Sequence, residues 1–375
     1  MRVHLKPIED QVIVITGASS GIGLVTARMA ARRGAQVMLA ARDGAILAEL
    51  AEEIRRDGGT ATHCAVDVGD EEDVRRLART AIETFGRIDT WVNNAGVSIY
   101  GRIEEIPVAE ARRLFDTDYW GVVHGSLAAL PHLRAHGGSL INVGSVVSIR
   151  AIPLQGHYAA AKHAVKGFTD ALRMELEAED AGVSVTLIKP TATDTLFEEH
   201  GRNHFGTQPM NPPPLYAPET VAAAILHAAQ TPVRDLVVGG AGKMFQLAET
   251  FAPRLTDRIM SRYLTRYQRS GGAERHPGDS LWAPSGNGRE RAGLHGYVRG
   301  TSLYTQAEMH PWATVALFAG LGAIAAAAFT GTLPRPGRPA PARGAYRRVT
   351  AAQEFGHGAK PAGQAATEDA VTFVR

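Results

Sequence analysis

Between residues 11 and 240, short apolar runs rich in β-branched residues alternate with amphipathic stretches of helical period. The seven runs are Val12–Thr16, Val37–Ala41, Thr60–Asp67, Asp89–Asn93, Ser139–Val143, Ser184–Lys189 and Leu236–Val238. Near-continuous apolar runs of this length suit parallel strands that helices cover on both faces. Because crossovers between parallel strands are right-handed, the alternation predicts an α/β fold with a doubly wound, three-layer parallel sheet.

Pattern and composition together divide the chain. The alternating part defines one domain, residues 1–255. The segment 256–310 that follows lacks clear periodicity and is rich in Gly, Arg and Ser over 271–300, so we expect a loose connector. The last part, residues 331–375, is rich in Pro, Gly, Ala and Arg, a composition that cannot build a core and predicts a disordered tail.

Between the connector and the tail, residues 311–330 are predicted to form an apolar helix. They contain the stretch Trp312–Phe329, which carries no charged residue. Roughly 20 apolar residues cross a bilayer and about 17 can suffice, so this helix is a candidate membrane segment. The stretch suits equally a helix that is buried in protein or one that lies in the membrane interface.

Charge and cysteine usage limit the partners and the compartment. The net charge of +2 gives no electrostatic reason to expect a nucleic acid as partner. The single cysteine, Cys64, excludes an intramolecular disulfide and a thiolate-rich metal site. Residues 1–10 lack the apolar core of a secretory signal, so we expect the main domain in the cytoplasm.

The first strand leads into a glycine-rich turn, Thr16–Gly23 (TGASSGIG), and then into a helix. Its three glycines permit a tight turn and let the backbone approach a pyrophosphate closely, and the N–H groups that open the helix attract such an anion. The strand–turn–helix context favours a dinucleotide site over a purely structural turn. The candidate cofactor-binding residues here are Gly17, Ser19, Ser20, Gly21, Ile22 and Gly23.

The end of the second strand bears on which dinucleotide binds. An acidic residue at this point would bind the ribose 2′-hydroxyl of NAD, whereas here Ala41 is followed by Arg42. A planar guanidinium group can bind the oxygens of a 2′-phosphate in pairs, which favours NADP. The adjacent Asp43 argues for NAD, the alternative, unless its side chain caps the following helix.

A proton-transfer site is indicated further along the chain. Ser145 follows the fifth apolar run, and Tyr158 and Lys162 lie four residues apart, on one face of a helix. An ammonium group near a phenol favours the phenolate, which predicts a lowered pKa for Tyr158 and a role as general acid and base. Ser145 is expected to hydrogen-bond the same substrate oxygen.

Together these residues resemble the short-chain dehydrogenase/reductase family, over about residues 8–255. The matching motifs, in the family's order and spacing, are Thr16–Gly23, Asp67-Val68, Asn93–Gly96 (NNAG), Ser145 and Tyr158–Lys162 (YAAAK). The resemblance implies a seven-stranded Rossmann sheet and a nicotinamide cofactor. It also implies hydride transfer between the nicotinamide and an alcohol or carbonyl carbon.

The same resemblance implies roles for the matched residues. Tyr158 is then the acid and base, and Lys162 binds the nicotinamide ribose and tunes Tyr158. Asp67 bonds the adenine edge, and Asn94 and Gly96 lie along the adenosine ribose. Their neighbours within the motifs, Val68 and Ala95, are counted with the cofactor-binding residues.

One departure from the family lies in the central helix. Asp118 stands where the family has an Asn whose main-chain carbonyl completes a proton relay. A main-chain role survives the substitution, so we count Asp118 with the catalytic residues and expect a shifted pH optimum. Its carboxylate can also pair with Lys162 and alter the effect of that residue on Tyr158.

A second departure follows the sixth strand. Pro190 and Thr195 match the family, and Thr195 is expected to touch the nicotinamide carboxamide or a cofactor phosphate. Thr191, however, replaces a Gly, which makes the backbone there less permissive.

Substrate selectivity is expected in the loops that follow the strands. Their apolar side chains predict a pocket for a hydrophobic alcohol or carbonyl compound, unless they only pack the loops: Val97, Ile99, Val146, Ile149, Ile152 and Leu154. We expect no metal, because Gly201 weakens any helix that would align His200 with His204.

The sequence therefore predicts an NADP(H)-dependent oxidoreductase that acts on a small molecule. The alternatives are the same chemistry with NAD, or a cofactor-binding scaffold or sensor with weak turnover. The resemblance also implies a homo-oligomer built through helices at 108–136 and 158–179.

Overall fold

The computed structural model describes residues 3–274, 278–285, 288–294, 296–316 and 319. Its central strands are β1 (Val12–Thr16), β2 (Gln36–Ala41), β3 (Thr60–Ala65), β4 (Thr90–Asn93), β5 (Gly138–Val143), β6 (Val183–Pro190) and β7 (Asp235–Val238). They lie in the order β7-β6-β5-β4-β1-β2-β3, and every neighbouring pair is parallel. The predicted doubly wound parallel Rossmann sheet is confirmed.

Helices cover both faces of this sheet. The helices named in the described part of the chain are α1 (Gly21–Arg32), α2 (Gly44–Arg56), α3 (Glu71–Phe85), α4 (Val108–Phe115), α5 (Gly121–His136), α6 (Gly156–Ala178), α7 (Phe197–His200), α8 (Pro218–Gln230), α9 (Gly240–Phe251), α10 (Pro253–Ile259), α11 (Thr265–Gln268) and α12 (Leu303–Met309). Wide π-helical turns join α4 to α5 at Asp116–Trp120 and α10 to α11 at Met260–Leu264.

Short elements complete the fold. Single 3₁₀ turns lie at Ile8–Asp10, Ile103–Glu105 and Val146–Ser148. Two pairs of two-residue strands, both parallel, join distant loops: Ile99–Tyr100 with Arg202–Asn203, and Leu215–Tyr216 with Val298–Arg299.

Each face of the sheet buries its own apolar core. Successive residues of a strand point to opposite faces, so Ile13 packs in the core shared with α1, α2 and α8, while Val14 packs in the core shared with α3, α5 and α6. Both side chains are fully buried. Burial on both faces is the physical reason why these strands are apolar almost without interruption.

The direction of winding reverses between β1 and β4. The chain proceeds from β1 toward β2 and β3, and from β4 toward β5, β6 and β7. Ligands of open α/β sheets bind at such a switch point, outside the carboxyl ends of the strands. The loops that carry the predicted site residues meet at this edge.

The segment expected to be a loose connector is instead largely folded onto the domain. The Gly239 N–H group donates to Thr305 Oγ1 at 3.0 Å, and the Val237 N–H group donates to the Glu308 carboxylate at 2.9 Å. These contacts fix α12 beside β7. They use main-chain groups of the edge strand, which carry no signal in the sequence.

Residues 311–316 are helical, and the apolar helix predicted over 311–330 stays a prediction. Apart from residue 319, the rest of that helix and the predicted disordered tail lie outside the described residues. Within the part of the chain that the structure describes, no helix is both long and apolar enough to cross a bilayer.

Candidate active site

The glycine-rich turn after β1 borders a cavity of about 430 Å³, which the predicted loop residues Ser19, Ser20 and Ile22 also line. The backbone has φ +68° at Gly17 and +52° at Gly21, a region that side chains with a Cβ disfavour. A Cβ at Gly23 would lie 2.2 Å from the Gly17 carbonyl oxygen. The turn therefore requires glycine at these positions, and the backbone of Gly17 and Gly21 forms a cradle along the edge of the cavity.

Asn94 fixes the shape of this turn from the neighbouring strand. Its Nδ2 donates to the carbonyl oxygens of Thr16 at 2.9 Å and Gly17 at 3.3 Å. The Thr16 hydroxyl in turn accepts from the N–H groups of Asn94 and Ala95, at 3.0 and 3.1 Å. Asn94, Ala95 and Gly96 all line the cavity, and the Asn94 amide is already engaged by the turn.

Two arginines meet at the adenosine end of the predicted site. Arg42 donates to the carbonyl oxygens of Ser280 and, at 3.4 Å, Leu281, and its burial lowers its pKa. Arg113 donates from Nε to the Leu281 carbonyl at 3.1 Å and pairs with the Asp67 carboxylate. Both cations are thus bound to main-chain oxygens of a segment far along the chain.

Asp43 and Val68 complete this end of the site. The Asp43 carboxylate caps α2, accepting from the N–H groups of Ala45 and Ile46 at 3.1 and 3.2 Å. Asp43 therefore has the helix-capping role that was the alternative to an NAD contact. Val68, like Arg42 and Asp67, lines the cavity.

The segment that Arg42 contacts covers the cleft and is here called the C-terminal strap, residues 278–285 and 288–294. Leu281 is fully buried in an apolar cluster that includes Leu114 and Tyr158. The Gly21 N–H group donates to the Arg289 carbonyl at 3.1 Å, and Arg28 pairs with Glu290 at 2.6 Å. Sequence reasoning missed the strap, because contacts through main-chain oxygens leave no periodic pattern.

Ser145, Tyr158 and Lys162 come together at the carboxyl end of β5. Ser145 begins the 3₁₀ turn at Val146–Ser148, and its Oγ accepts from the Val147 N–H group at 3.2 Å. Tyr158 and Lys162 lie in the first turns of α6, and both are buried. The Lys162 Nζ lies 5.6 Å from the centre of the Tyr158 ring. The structure therefore unites the three residues that the sequence selected.

Asp118 lies in the π-helical turn that joins α4 to α5. Its Oδ2 is 3.2 Å from the Lys162 Nζ, and its Oδ1 accepts from the Val97 N–H group at 2.7 Å. The carboxylate is fully buried, and this burial raises its pKa against the opposing effect of Lys162. Wide turns of this kind recur at functional sites, since they re-aim one side chain of a helix.

The electrostatic environment of Tyr158 differs from the one expected. Burial raises its pKa above the usual value, the Asp118 charge raises it further, and only the contact with the Ser145 hydroxyl lowers it. The expected lowering of this pKa by Lys162 is therefore wrong for this structure. The main reason is the burial of the phenol, and in addition the Lys162 charge is paired with Asp118 rather than left to stabilise a phenolate alone.

A buried ladder of amides joins the strands beneath the site. Asn93 Nδ2 donates to Asn142 Oδ1, and Asn142 Nδ2 donates to Thr169 Oγ1, both at 2.9 Å. Trp91 Nε1 donates to Asn93 Oδ1 at 2.7 Å. Sequence reasoning did not assign Asn142. Its signal was an amide in the middle of an otherwise apolar strand, which must find partners when buried.

The departure at Thr191 is accommodated by Gly239, which directly follows the adjacent strand β7. Thr191 Oγ1 donates to the Val238 carbonyl at 2.8 Å, and a Cβ at Gly239 would lie 2.2 Å from that hydroxyl. Pro190 and Thr195 line the cavity, and the Thr195 Cβ lies 3.1 Å from where a Gly21 Cβ would be. Thr195 therefore lies against the glycine-rich turn.

The apolar end of the cavity extends beyond the predicted loops. Of the predicted pocket residues, all of which the structure describes, Val97, Val146 and Ile152 line it, whereas Ile99, Ile149 and Leu154 do not. α7 lines it within the predicted loop after β6, and an additional wall comes from the π-helical turn after α10, a segment that sequence reasoning had assigned to the connector. His200 also lines the cavity, while His204 Nε2 lies 2.8 Å from a Glu110 carboxylate oxygen.

Comparison with known proteins agrees with this architecture. The family model described as short chain dehydrogenase matches residues 11–204. The uncharacterized oxidoreductase YxnA of Bacillus subtilis is 46% identical over 330 residues, which are 87% of this chain and 93% of that protein. The putative oxidoreductase SadH of Mycobacterium tuberculosis is 35% identical over 192 residues, 51% of this chain and 70% of that protein.

Solved structures share the fold. An alcohol dehydrogenase from the archaeon Thermococcus sibiricus, complexed with 5-hydroxy-NADP, is 30% identical with a TM-score of 0.53 and covers 60% of this chain and 95% of its own. A short chain dehydrogenase/reductase from Burkholderia phymatum, in complex with NAD, is 24% identical with a TM-score of 0.60. The match covers 67% of this chain and 96% of that protein. The chain belongs to the short-chain dehydrogenase family and is an oxidoreductase.

Proposed function

We propose that the protein transfers a hydride between NADP(H) and a hydrophobic alcohol or carbonyl compound. The observation that carries this proposal is a single cavity bordered by both the glycine cradle and the side chains of Ser145, Tyr158 and Lys162. The cradle fits a dinucleotide, since Gly17 and the residues Ser19–Ile22 line the cavity where α1 begins, and the first turn of a helix favours a pyrophosphate. When bound, the nicotinamide supplies or accepts the hydride.

The protein's own residues handle the proton and the orientation. In the reductive direction, the Tyr158 hydroxyl donates a proton to the carbonyl oxygen of the substrate, and the Ser145 hydroxyl donates a hydrogen bond to the same oxygen. Burial raises the pKa of Tyr158, so its side chain is the neutral phenol that serves as proton donor in this direction. Lys162, held by Asp118 and the Val143 carbonyl, orients the ribose side of the site.

The proposed preference for NADP rests on the charges at the adenosine end. Arg42 and Arg113 lie together there, and the nearest candidate for the acidic residue of an NAD site, Asp43, is occupied as a helix cap. A related alcohol dehydrogenase was solved with an NADP derivative. NAD remains the alternative cofactor, since the Arg42 donors already have carbonyl partners in the C-terminal strap.

Replacing Arg42 tests the choice of cofactor. In Arg42→Ala, we expect kcat/KM for NADP to fall by roughly 10- to 100-fold, the effect of one charge-assisted hydrogen bond to phosphate, while kcat/KM for NAD changes little. Steady-state kinetics with both cofactors measure this. An equal loss with the two cofactors, or a wild-type preference for NAD, contradicts the assignment.

Transfer of a label tests the reaction itself. The full-length protein is incubated with NADPH deuterated at nicotinamide C4 and a panel of hydrophobic aldehydes and ketones. We expect nicotinamide absorbance to fall and deuterium to appear on the former carbonyl carbon of the product, detected by mass spectrometry. Oxidation of the cofactor without label in the product contradicts hydride transfer to a carbonyl.

We also propose that the protein forms a homo-oligomer through the α4–α6 side. Three large apolar side chains lie exposed on this side: Trp120 just before α5, Leu127 on α5 and Met174 on α6. Such side chains are enriched where a second copy packs. Light scattering on the purified protein, compared with Leu127→Glu, tests this proposal, since a charge at an isologous contact faces its own copy and should favour the monomer.

The cytoplasmic location and the membrane contact of residues 312–329 also remain proposals. The location is supported by the single cysteine, which fits a reducing compartment. The membrane contact is supported by the absence of charge over those residues of the sequence.

A further inference from the structure

The helical segment 253–268, formed by α10, a π-helical turn and α11, is here called the rim helix. One row of its side chains, spaced by four, packs against the domain: Thr256, Met260, Leu264 and Gln268. The adjacent row is apolar and yet exposed, with Leu255 at 56%, Ile259 at 55% and Tyr263 at 60%. Spacing of four keeps each row on one face, since the π turn underwinds the helix. The rim helix is therefore amphipathic, with its second apolar row unpartnered.

A row of arginines flanks this apolar row on the outer side. Its members, also spaced by four, are exposed: Arg254, Arg258, Arg262 and Arg266. Among the described residues none of the four forms an ion pair. The nearby carboxylates are occupied elsewhere, because Glu249 and Asp257 both pair with Arg150. The surface of the rim helix thus carries uncompensated positive charge beside exposed apolar side chains.

The rim helix lies at the mouth of the cavity. Ile259 and Tyr263 line the cavity and are more than half exposed, so they form part of its edge. The preceding helix, α9, adds Met244 and Phe251 to the exposed apolar side chains of this region. A ligand that reaches the apolar end of the cavity from this side passes the exposed row.

We propose that the rim helix docks the domain on an anionic lipid surface and opens the cavity toward it. An apolar row beside a row of arginines is the pattern of helices that lie in a membrane interface. A second copy is disfavoured as occupant, because a two-fold contact would bring two rows of uncompensated arginines together. The corollary, that the alcohol or carbonyl substrate is dissolved in the membrane, rests on the proposed function; the docking itself does not.

A probe on the exposed row tests the docking directly. In full-length protein with Cys64→Ala, Leu255→Cys carries an environment-sensitive NBD dye, and Thr84→Cys, an exposed position on α3, is the matched control. With phosphatidylglycerol-containing vesicles, we expect a blue shift and brighter emission at position 255 only. A dye that stays in water at 255 while the protein binds vesicles overturns the proposal, because another part of the chain then makes the contact.

Charge removal gives an independent readout. Each arginine near an anionic surface contributes roughly fivefold in affinity, so Arg258→Gln with Arg262→Gln should weaken vesicle binding about 25-fold. The control, Arg32→Gln with Arg56→Gln, removes two exposed arginines elsewhere and should leave binding unchanged. Equal binding by both double variants overturns the proposal.

A further outcome identifies the rival occupant. If the dye at position 255 responds to protein concentration without lipid, the face is a contact between copies, and the proposal is overturned. Both readouts are taken without turnover, so failure of docking leaves the proposed hydride transfer untouched. Loss of activity in a Tyr158 variant likewise leaves docking untouched.

Discussion

The ion pair between Asp118 and Lys162 makes the most specific prediction about catalysis. Asp118→Asn removes a buried negative charge while keeping an oxygen for the Val97 N–H group. Since the Asp118 charge raises the pKa of Tyr158, its removal should lower that pKa. The substitution therefore separates the electrostatic effect of this carboxylate from its place in the helix.

The size of the shift follows from the geometry. Asp118 Oδ2 lies 3.2 Å from the Lys162 Nζ, which lies 5.6 Å from the centre of the Tyr158 ring. Two unit charges on the order of 8 Å apart interact by roughly 2 kcal/mol at an effective dielectric constant near 20. That energy corresponds to about 1.5 pKa units for Tyr158.

The pH profile should shift toward lower pH in both directions of the reaction. In oxidation the phenolate is the base, so kcat/KM rises with pH through the Tyr158 pKa, and the rise should move to lower pH by about 1.5 units. In reduction the phenol is the acid, so the fall in kcat/KM at high pH should move to lower pH by a similar amount. At a pH well below the original rise, oxidation by the variant should be about 30-fold faster.

The assay is kcat/KM against pH, in both directions, for a substrate found by the carbonyl and alcohol screen. Asp116→Asn, two residues earlier in the same wide turn, is the matched control and should leave the profile in place. Urea unfolding accompanies the kinetics, because Lys162 loses a buried counter-ion at a cost of up to a few kcal/mol. Superimposable pH profiles for Asp118→Asn and the parent, or a shift to higher pH, would refute the reasoning.

Two glycines give stability and binding predictions. Gly23→Ala places a Cβ 2.2 Å from the Gly17 carbonyl oxygen, so the cradle must shift. NADPH affinity, measured by fluorescence titration, should then fall by roughly 100-fold or more. Unchanged affinity would show that the cradle does not hold the cofactor. Gly125→Ala places a Cβ 2.0 Å from a buried amide oxygen of β4, and urea unfolding should show a loss of about 1–3 kcal/mol. Gly167→Ala, where nothing lies within 4 Å, is the control for both substitutions, and its free energy of unfolding should rise by up to about 1 kcal/mol. A lower free energy of unfolding in this variant would contradict the argument from Cβ contacts.

Periodic burial explains how much of the fold was predictable. Each of the seven apolar runs contains or overlaps one strand of the sheet, because burial on both faces favours apolar residues along the central strands, whereas the edge strand β3 is only partly buried. The strand ends are predicted less accurately, since the third apolar run extends to Asp67 whereas β3 ends at Ala65. The polar residues after that point are held by turn and capping bonds, which no strand pattern predicts.

Contacts between distant segments explain what was missed. The C-terminal strap reaches the site through carbonyl oxygens of Ser280, Leu281 and Arg289, which every residue type provides. The pKa of Tyr158 depends on the balance of burial, Asp118 and Ser145, and the sequence gives the identities of these groups but not their distances. Motif spacing could therefore select the residues of the site, whereas the sign of their electrostatic effect required the structure.

The most direct test of the central claim replaces one hydroxyl group. In Tyr158→Phe, the ring that packs against Phe197 is kept and only the proposed proton donor is lost. We expect NADPH binding, followed by fluorescence, to remain within about twofold of the parent, while kcat for carbonyl reduction falls by roughly 100-fold or more. Turnover that persists at the parental rate, with the cofactor still bound, would show that Tyr158 does not transfer the proton.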